Sequence, residues 1–447
     1  MQSIPNELTA EIFGHLLNDV PRREESSKMK GTLGSVNKHW NEVLYSTVKL
    51  WDKVFVHYCM DMSHIEHVCR RARPTERKCH LHISTETEAE FGADDLEGCY
   101  DVVTIAAWSA AVAYHLAPLI WKAESITVYT YNAHAVLSQL QDIHADHALA
   151  LKNFTCYATI AGADHTNYLL PIQSNEIELL SVSGINPIGL APAQLQHMKT
   201  LRMFSVTKPL NWEQTKTILR SSMMLVELEI VDIACNGEVG DDIIELPALR
   251  ILSLDISEAG GMEIVELLST PGLVSFTVRG EFDAPWERVT RHMRPTLRKI
   301  KQCGIGTGLY TNEIKEFLSE LHSTEVLDIH RGYTHLLEHI TQTNGVGHPT
   351  MNNLRRWVVA SGLTYAQAHR LFDWPGAKVN GVYERSDEDE FTSEFVKWRE
   401  DGMGGFGNLL NQSRGRIEYL DLSARTRTFY YWWQLSGLIE TVINRNN

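Results

Sequence analysis

Apolar positions recur along this chain with two different periods. Near the start, Leu8, Ile12, Phe13 and Leu16 fall at i, i+4, i+5 and i+8. That spacing predicts one stripe of a helix, which Pro5 can open because proline is tolerated in a first turn. Leu33, Val36, Trp40, Val43 and Leu44 predict a second stripe. The stretch from Asn18 to Thr32, with Arg22, Arg23, Glu24, Glu25, Ser26 and Ser27, reads as a polar loop between them. Two short helices with so few apolar residues cannot bury a core alone, so their faces need a partner.

Further along the period lengthens. Ile177, Leu201, Leu225, Leu249, Leu273 and Leu297 follow one another at steps of 24. Three residues after each stands Leu180, Phe204, Leu228, Leu252, Phe276 or Ile300, and five after each Val182, Val206, Ile230, Leu254 or Val278, with Gln302 the exception. The register extends back to Ile126-Val128 and Leu151-Phe154-Cys156, and forward to Leu327-Ile329, Leu354-Trp357-Val359 and Ile417-Leu420-Leu422. This is the strand signature of a leucine-rich repeat. It predicts parallel strands at 126–129, 152–156, 178–182, 202–206, 226–230, 250–254, 274–278, 298–302, 325–329, 355–359 and 418–422, with helical patterns such as Ile314, Phe317, Leu318 and Leu321 between them. Each strand-plus-helix unit buries its apolar face only by stacking on neighbours, so the expected fold class is α/β: a short all-helical N-terminal segment, then a solenoid with a parallel sheet on its concave face. The asparagine that the repeat family carries after the strand is missing from most units.

The first 51 residues carry a further pattern. Ile4-Pro5-Asn6-Glu7-Leu8, Ile12-Phe13-Gly14-His15-Leu16, Val36-Asn37-Lys38-His39-Trp40 and Leu50-Trp51 together resemble an F-box, with Ile4 in place of the first leucine and Asn37 in place of the usual cysteine. The chain is most similar to the F-box proteins with irregular leucine-rich repeats of mushroom-type (basidiomycete) fungi. The resemblance implies an F-box over 1–51 that binds a Skp adaptor through Ile4, Pro5, Leu8, Ile12, Phe13, Leu16, Leu33, Val36, Trp40, Leu50 and Trp51. It also implies a linker over 52–122 made of a helix, Met62 to Arg73, and a strand, Lys78 to Ser84, and a repeat domain over 123–447. Within that last domain an insert is expected near 376–407 and an amphipathic cap from Leu435 to Ile443.

Composition narrows the function. Forty-one Lys and Arg stand against 56 Asp and Glu, a formal charge of −15 over 447 residues, which argues against generic binding to nucleic acid or anionic membrane. Seven cysteines, odd in number and irregular in spacing, fit reduced thiols in the cytoplasm or nucleus. Glu7 and Glu11 interrupt the N-terminal apolar pattern, so no signal peptide is expected. Val102 to Trp121 carries no formal charge, but Ser109, Tyr114, His115 and Pro118 mark it as a buried helix rather than a membrane span.

Catalytic and metal motifs do not emerge. Cys59, His64, His67, Cys69, Cys79, His80 and His82 match no zinc-ligand spacing, and Gly402, Gly404, Gly405 and Gly407 lack the Gly-Lys-Ser/Thr of a phosphate loop. No cofactor, no metal and no enzymatic activity are expected. The predicted role is a substrate-recognition adaptor of a Skp-cullin-F-box ubiquitin ligase, the alternative being a repeat scaffold without a part in ubiquitination. Alternation along each strand places Glu227, Glu229, Thr277, Arg279, Lys299, Lys301, Asp328, His330, Arg356, Tyr419 and Asp421 on the concave face as the substrate surface. Arg279, Lys299 and Lys301 would there form a cationic patch for an acidic or phosphorylated segment.

Overall fold

The computed structural model describes residues 5–18, 23–58, 60–72, 78–85, 102–130, 136–139, 150–158, 174–185, 190–204, 210–231, 233–236, 240, 242–256, 260–280, 285–307, 312–330, 356–359, 378–382 and 417–419. The chain is α/β and divides into two compact units, Met1–Leu249 with Leu267–Thr270, and Arg250–Glu266 with Pro271–Asn447.

The first unit begins with helices α1 (Asn6–Asn18), α2 (Arg23–Val36) and α3 (Lys38–Ser46), closed by a 3-10 turn at Val48–Trp51. Most of the expected polar loop is therefore helix. The polar composition of α2, with its apolar residues confined to Met29, Leu33 and Val36, conceals the helix. The second apolar stripe is broken at Asn37, whose backbone is extended and whose Oδ1 accepts the Trp40 N–H at 2.8 Å. Asn37 thus caps α3, a role that cysteine fills less well.

Parallel strands follow: β1 (Lys53–His57), β2 (Cys79–Ser84), β3 (Ala123–Thr130), β4 (Asn153–Ala158), β5 (Leu179–Ser183), β6 (Thr200–Phe204) and β7 (Glu227–Val231), each paired with the next. Helices α4 (Met62–Ala72), α5 (Val102–Ile120), α6 (Pro192–Leu195) and α7 (Trp212–Ser221) lie in the connections. The stretch expected to be a linker thus contributes two rungs, β1 and β2, to the ladder. No described helix is long and apolar enough to cross a membrane. In α5, Ile105, Val112, Leu116, Leu119 and Ile120 are buried, while Tyr114 is exposed.

The second unit repeats the arrangement with β8 (Ile251–Asp255), β9 (Ser275–Gly280), β10 (Gln302–Thr307), β11 (Val326–His330), β12 (Arg356–Val359), β13 (Lys378–Val382) and β14 (Ile417–Tyr419), again parallel. Helices α8 (Gly261–Leu267), α9 (Trp286–Leu297) and α10 (Asn312–Ser319) intervene. Strand β13 falls inside the expected insert; the rest of 376–407 and the expected C-terminal cap lie outside the described residues.

Alternation along the strands builds the core of each unit. Val54 and Val56, Leu81 and Ile83, Ile126 and Val128, Phe154 and Cys156, Leu180 and Val182, Leu201 and Met203, and Leu228 and Ile230 are all buried in the first. Leu252 and Leu254, Phe276 and Val278, and Cys303 and Ile305 play the same part in the second. The even step of 24 does not hold throughout. Leu180 pairs with Leu201, and Leu201 with Leu228, so β6 lies nearer β5 in sequence than the even register places it. Phe204, expected in the core, is half-buried on the opposite face. Both Met198-x-x-Leu201-x-Met203 and Leu201-x-x-Phe204-x-Val206 satisfy the repeat pattern, and a slip of three residues inverts which side chains face inward.

The same ambiguity misplaces the next candidate strand. Phe276 pairs with Cys303, so the working triplet is Ile300-x-x-Cys303-x-Ile305 rather than Leu297-x-x-Ile300-x-Gln302, and the strand is 302–307 rather than 298–302. Leu297 instead ends α9. The outward positions of β10 are then Gln302, Gly304 and Gly306. A Cβ at Gly304 would stand 2.6 Å from Thr277 Oγ1, so only glycine lets the neighbouring strand approach.

Candidate functional site

The N-terminal helices have one anchored side and one bare side. Phe13 is 0% exposed and meets Trp40 edge-on with ring centroids 5.2 Å apart. Leu33, Val43, Leu44, Leu50 and Trp51 are buried, and Trp51 Nε1 donates to the Leu44 carbonyl at 3.1 Å. Tyr45 stacks on Trp51 at 5.7 Å and meets His67 of α4 at 5.8 Å, which ties the helices to the first connection. On the other side of α1, Leu8, Ile12 and Leu16 are 51%, 47% and 40% exposed, and Val36 at the end of α2 is 53% exposed. Aliphatic residues at i, i+4 and i+8 normally face a core, and these face solvent.

Lys30 is half-buried beside the anchored side, its Nζ 4.7 Å from the centroid of the Trp51 ring. Burial lowers its pKa to about 8, with Asp52 opposing the shift and Lys53 adding to it.

The outward face of β1 to β7 forms a second surface. Phe55, His82, Tyr129 and Tyr157 make a row of rings with successive centroid separations of 5.7, 5.2 and 4.8 Å. Tyr157 Oη lies 3.4 Å from Ser181 Oγ, and burial, the leading cause, pushes the Tyr157 phenol well above its ordinary pKa. Ser181 pairs in register with Arg202, which pairs with Glu229. The Arg202 guanidinium reaches Glu227 at 2.6 Å and Glu229 at 3.8 Å.

Where these strands begin, a row of alternating charges crosses the sheet. Lys78 lies 3.3 Å from Glu124, which lies 3.5 Å from Lys152; Lys152 lies 3.7 Å from Glu178, and Glu178 2.8 Å from Lys199. The Glu178 pKa is lowered, chiefly by the hydrogen bond from Lys199 and against some burial. For Glu124 partial burial works upward, and the hydrogen bonds and charges of Lys78 and Lys152 outweigh it, so its pKa is lowered too. One repeat position with alternating sign favours each strand beside its own neighbours over a like-charged one.

The residues singled out in the sequence separate accordingly. Pro5, Leu8, Ile12, Leu16 and Val36 are exposed, Trp40 is half-buried, and Phe13, Leu33, Leu50 and Trp51 belong to the anchored side; Ile4 lies outside the described residues. Glu227, Glu229, Thr277 and Arg279 are half-buried on the outward faces of β7 and β9. Lys299 and Lys301 are not on such a face, because the strand starts after them, and Lys301 pairs with Glu325 at 2.9 Å just ahead of β10 and β11. The expected cationic patch of Arg279, Lys299 and Lys301 is therefore absent. The side chains of Asp328, His330, Arg356 and Tyr419, and Asp421 altogether, lie outside the described residues.

The alternation that places Glu227 and Glu229 on the outward face also reaches the earlier strands. Applied to β2 to β6 it yields His82, Tyr129, Tyr157, Ser181 and Arg202. Among the described residues no group of three His, Cys, Asp or Glu is placed to hold a metal ion. No protein-family model matches the chain, and no curated protein matches it.

Proposed function

We propose that this protein is the substrate-recognition adaptor of a Skp-cullin-F-box ubiquitin ligase. In this reading the bare side of α1 docks on a Skp adaptor, the sheet holds a protein substrate, and other subunits transfer ubiquitin. The chain contributes proximity, turning an encounter between ligase and substrate into a tethered reaction. The observation that carries the reading is the exposed row of Leu8, Ile12 and Leu16 on a helix whose opposite side is locked by Phe13 and Trp40. Such a row is costly to leave in water and is what a partner's apolar groove covers.

The test is capture by purified Skp of the parent chain and of a variant with Leu8, Ile12 and Leu16 all changed to alanine. Anchors of this kind cost roughly 2 kcal/mol or more each at an interface, so capture is expected to vanish. Because the three side chains are exposed, the thermal transition should stay where it is. Equal capture of the two proteins would remove the assignment. Substrate ubiquitination that depends on the same three residues would separate the adaptor from a plain repeat scaffold.

A further inference from the structure

The substrate surface of the first unit has a chemistry of its own, and the inference here rests on the adaptor reading above. With the cationic patch gone, what β1 to β7 present is a row of aromatic rings leading through Ser181 to Arg202, Glu227 and Glu229. The rings stand one per strand, with centroids 4.8 to 5.7 Å apart, close to the inter-strand spacing of about 4.8 Å. Phe55, His82 and Tyr129 are half-buried, so their outer parts reach solvent.

A segment crossing β1 to β4 meets a ring at every step. A polyproline-type helix rises about 3.1 Å per residue with three residues per turn, so its turn of roughly 9.3 Å is close to two strand spacings. Every third residue then falls over alternate rings. A segment in β conformation repeats its side chains about every 6.6 Å and drifts out of step with the row. Prolines also suit aromatic faces and come already ordered, which lowers the entropic cost of binding.

Charge selects further. Two carboxylates, Glu227 and Glu229, stand around one guanidinium at the far end of the row, and the whole chain carries −15. Ring faces attract cations as well. We propose that this strip binds a basic, proline-rich segment of a partner protein, lying across β1 to β7 in polyproline form with Lys or Arg toward Glu227 and Glu229.

The test uses the full chain and three labelled twelve-residue peptides, repeats of Pro-Pro-Arg, Pro-Pro-Glu and Gly-Ser-Arg, followed by fluorescence anisotropy. The Pro-Pro-Arg peptide is expected to bind at least about tenfold more tightly than either of the others. Tyr129→Ala and Glu229→Gln are each expected to weaken it by about tenfold, the size of one cation–π contact or one charge-assisted contact. No binding of the Pro-Pro-Arg peptide, equal binding of the Gly-Ser-Arg peptide, or insensitivity to Tyr129→Ala would each overturn the proposal. Tighter binding of the Pro-Pro-Glu peptide would show that the strip selects acidic segments instead. Skp capture measured on the same preparation keeps the two readings apart: intact capture with no peptide binding sinks the strip alone. The variant lacking Leu8, Ile12 and Leu16 is expected to bind peptide as the parent does.

Discussion

Lys30→Met should stabilise the N-terminal helices, and the gain should fade as pH rises. In the folded chain burial lowers the Lys30 ammonium to about 8, from the 10.5 of a free side chain. The folded state therefore binds this proton less well than the unfolded state does. Below pH 8 both states are protonated and the whole penalty is present. Between 8 and 10.5 the unfolded chain keeps the proton while the folded chain sheds it, so stability rises with pH. Above 10.5 the penalty is gone. The difference between the two pKa values corresponds to roughly 3 kcal/mol at 1.36 kcal/mol per unit. Methionine keeps the stem packed and removes the charge. Urea unfolding of the parent and the variant in parallel, followed by far-ultraviolet circular dichroism, cancels every other titrating group in the difference. The variant should be the more stable near neutrality, and the gap should shrink by more than half by about pH 9.5. A gap that does not change with pH, or a parent that is the more stable at neutrality, would refute the reasoning.

Further expectations concern the ladder itself. Gly304→Val should lower the urea midpoint by the equivalent of about 1 to 3 kcal/mol, since the new side chain must displace Thr277 from the adjoining strand; an unchanged midpoint would mean that β9 and β10 do not approach as described. The lowered pKa values of Glu124 and Glu178 mean that their pairing stabilises the fold above the ordinary carboxylate pKa of 4.5 and is lost as pH falls through the folded values. Glu178→Gln should accordingly cost at most about 1 kcal/mol at neutral pH, these pairs being partly exposed, and should flatten the decline on acidification; an acid profile identical to the parent's would show that the row contributes nothing.

Much of this architecture is legible from apolar spacing because a buried strand position leaves few choices. Leu228 and Ile230, Leu252 and Leu254, and Phe276 and Val278 sit where the spacing puts them. The misplaced strands share one cause. Where apolar residues occur three apart for more than one step, as in Met198, Leu201 and Phe204 or Leu297, Ile300 and Cys303, the pattern accepts two registers. Only packing against the neighbouring rung selects between them. The consequence reaches function, since a three-residue slip exchanges core for surface and creates a cationic patch that the folded chain does not have. Helix α2 is concealed for a different reason: its polar composition resembles a loop, and of its few apolar residues Leu33 is buried while Val36 stays exposed.

The exposed and buried halves of the N-terminal pattern answer different demands. A helix that must both stay attached to its own chain and offer apolar side chains to another needs two separate stripes, and α1 has them, Phe13 on one side and Leu8, Ile12 and Leu16 on the other. The anchored side is reinforced from outside the helices as well, since Tyr45 and Trp51 meet His67 of α4. Loss of the exposed row should therefore leave the fold untouched, whereas loss of Phe13 should loosen the helices and only thereby affect docking. A single motif read as one binding surface conceals this division, because the spacing of apolar residues records which positions are apolar and not which neighbour covers them. Exposure separates the two groups, and under the proposed docking it leaves Pro5, Leu8, Ile12, Leu16 and Val36, rather than every described residue of the pattern, to meet a partner.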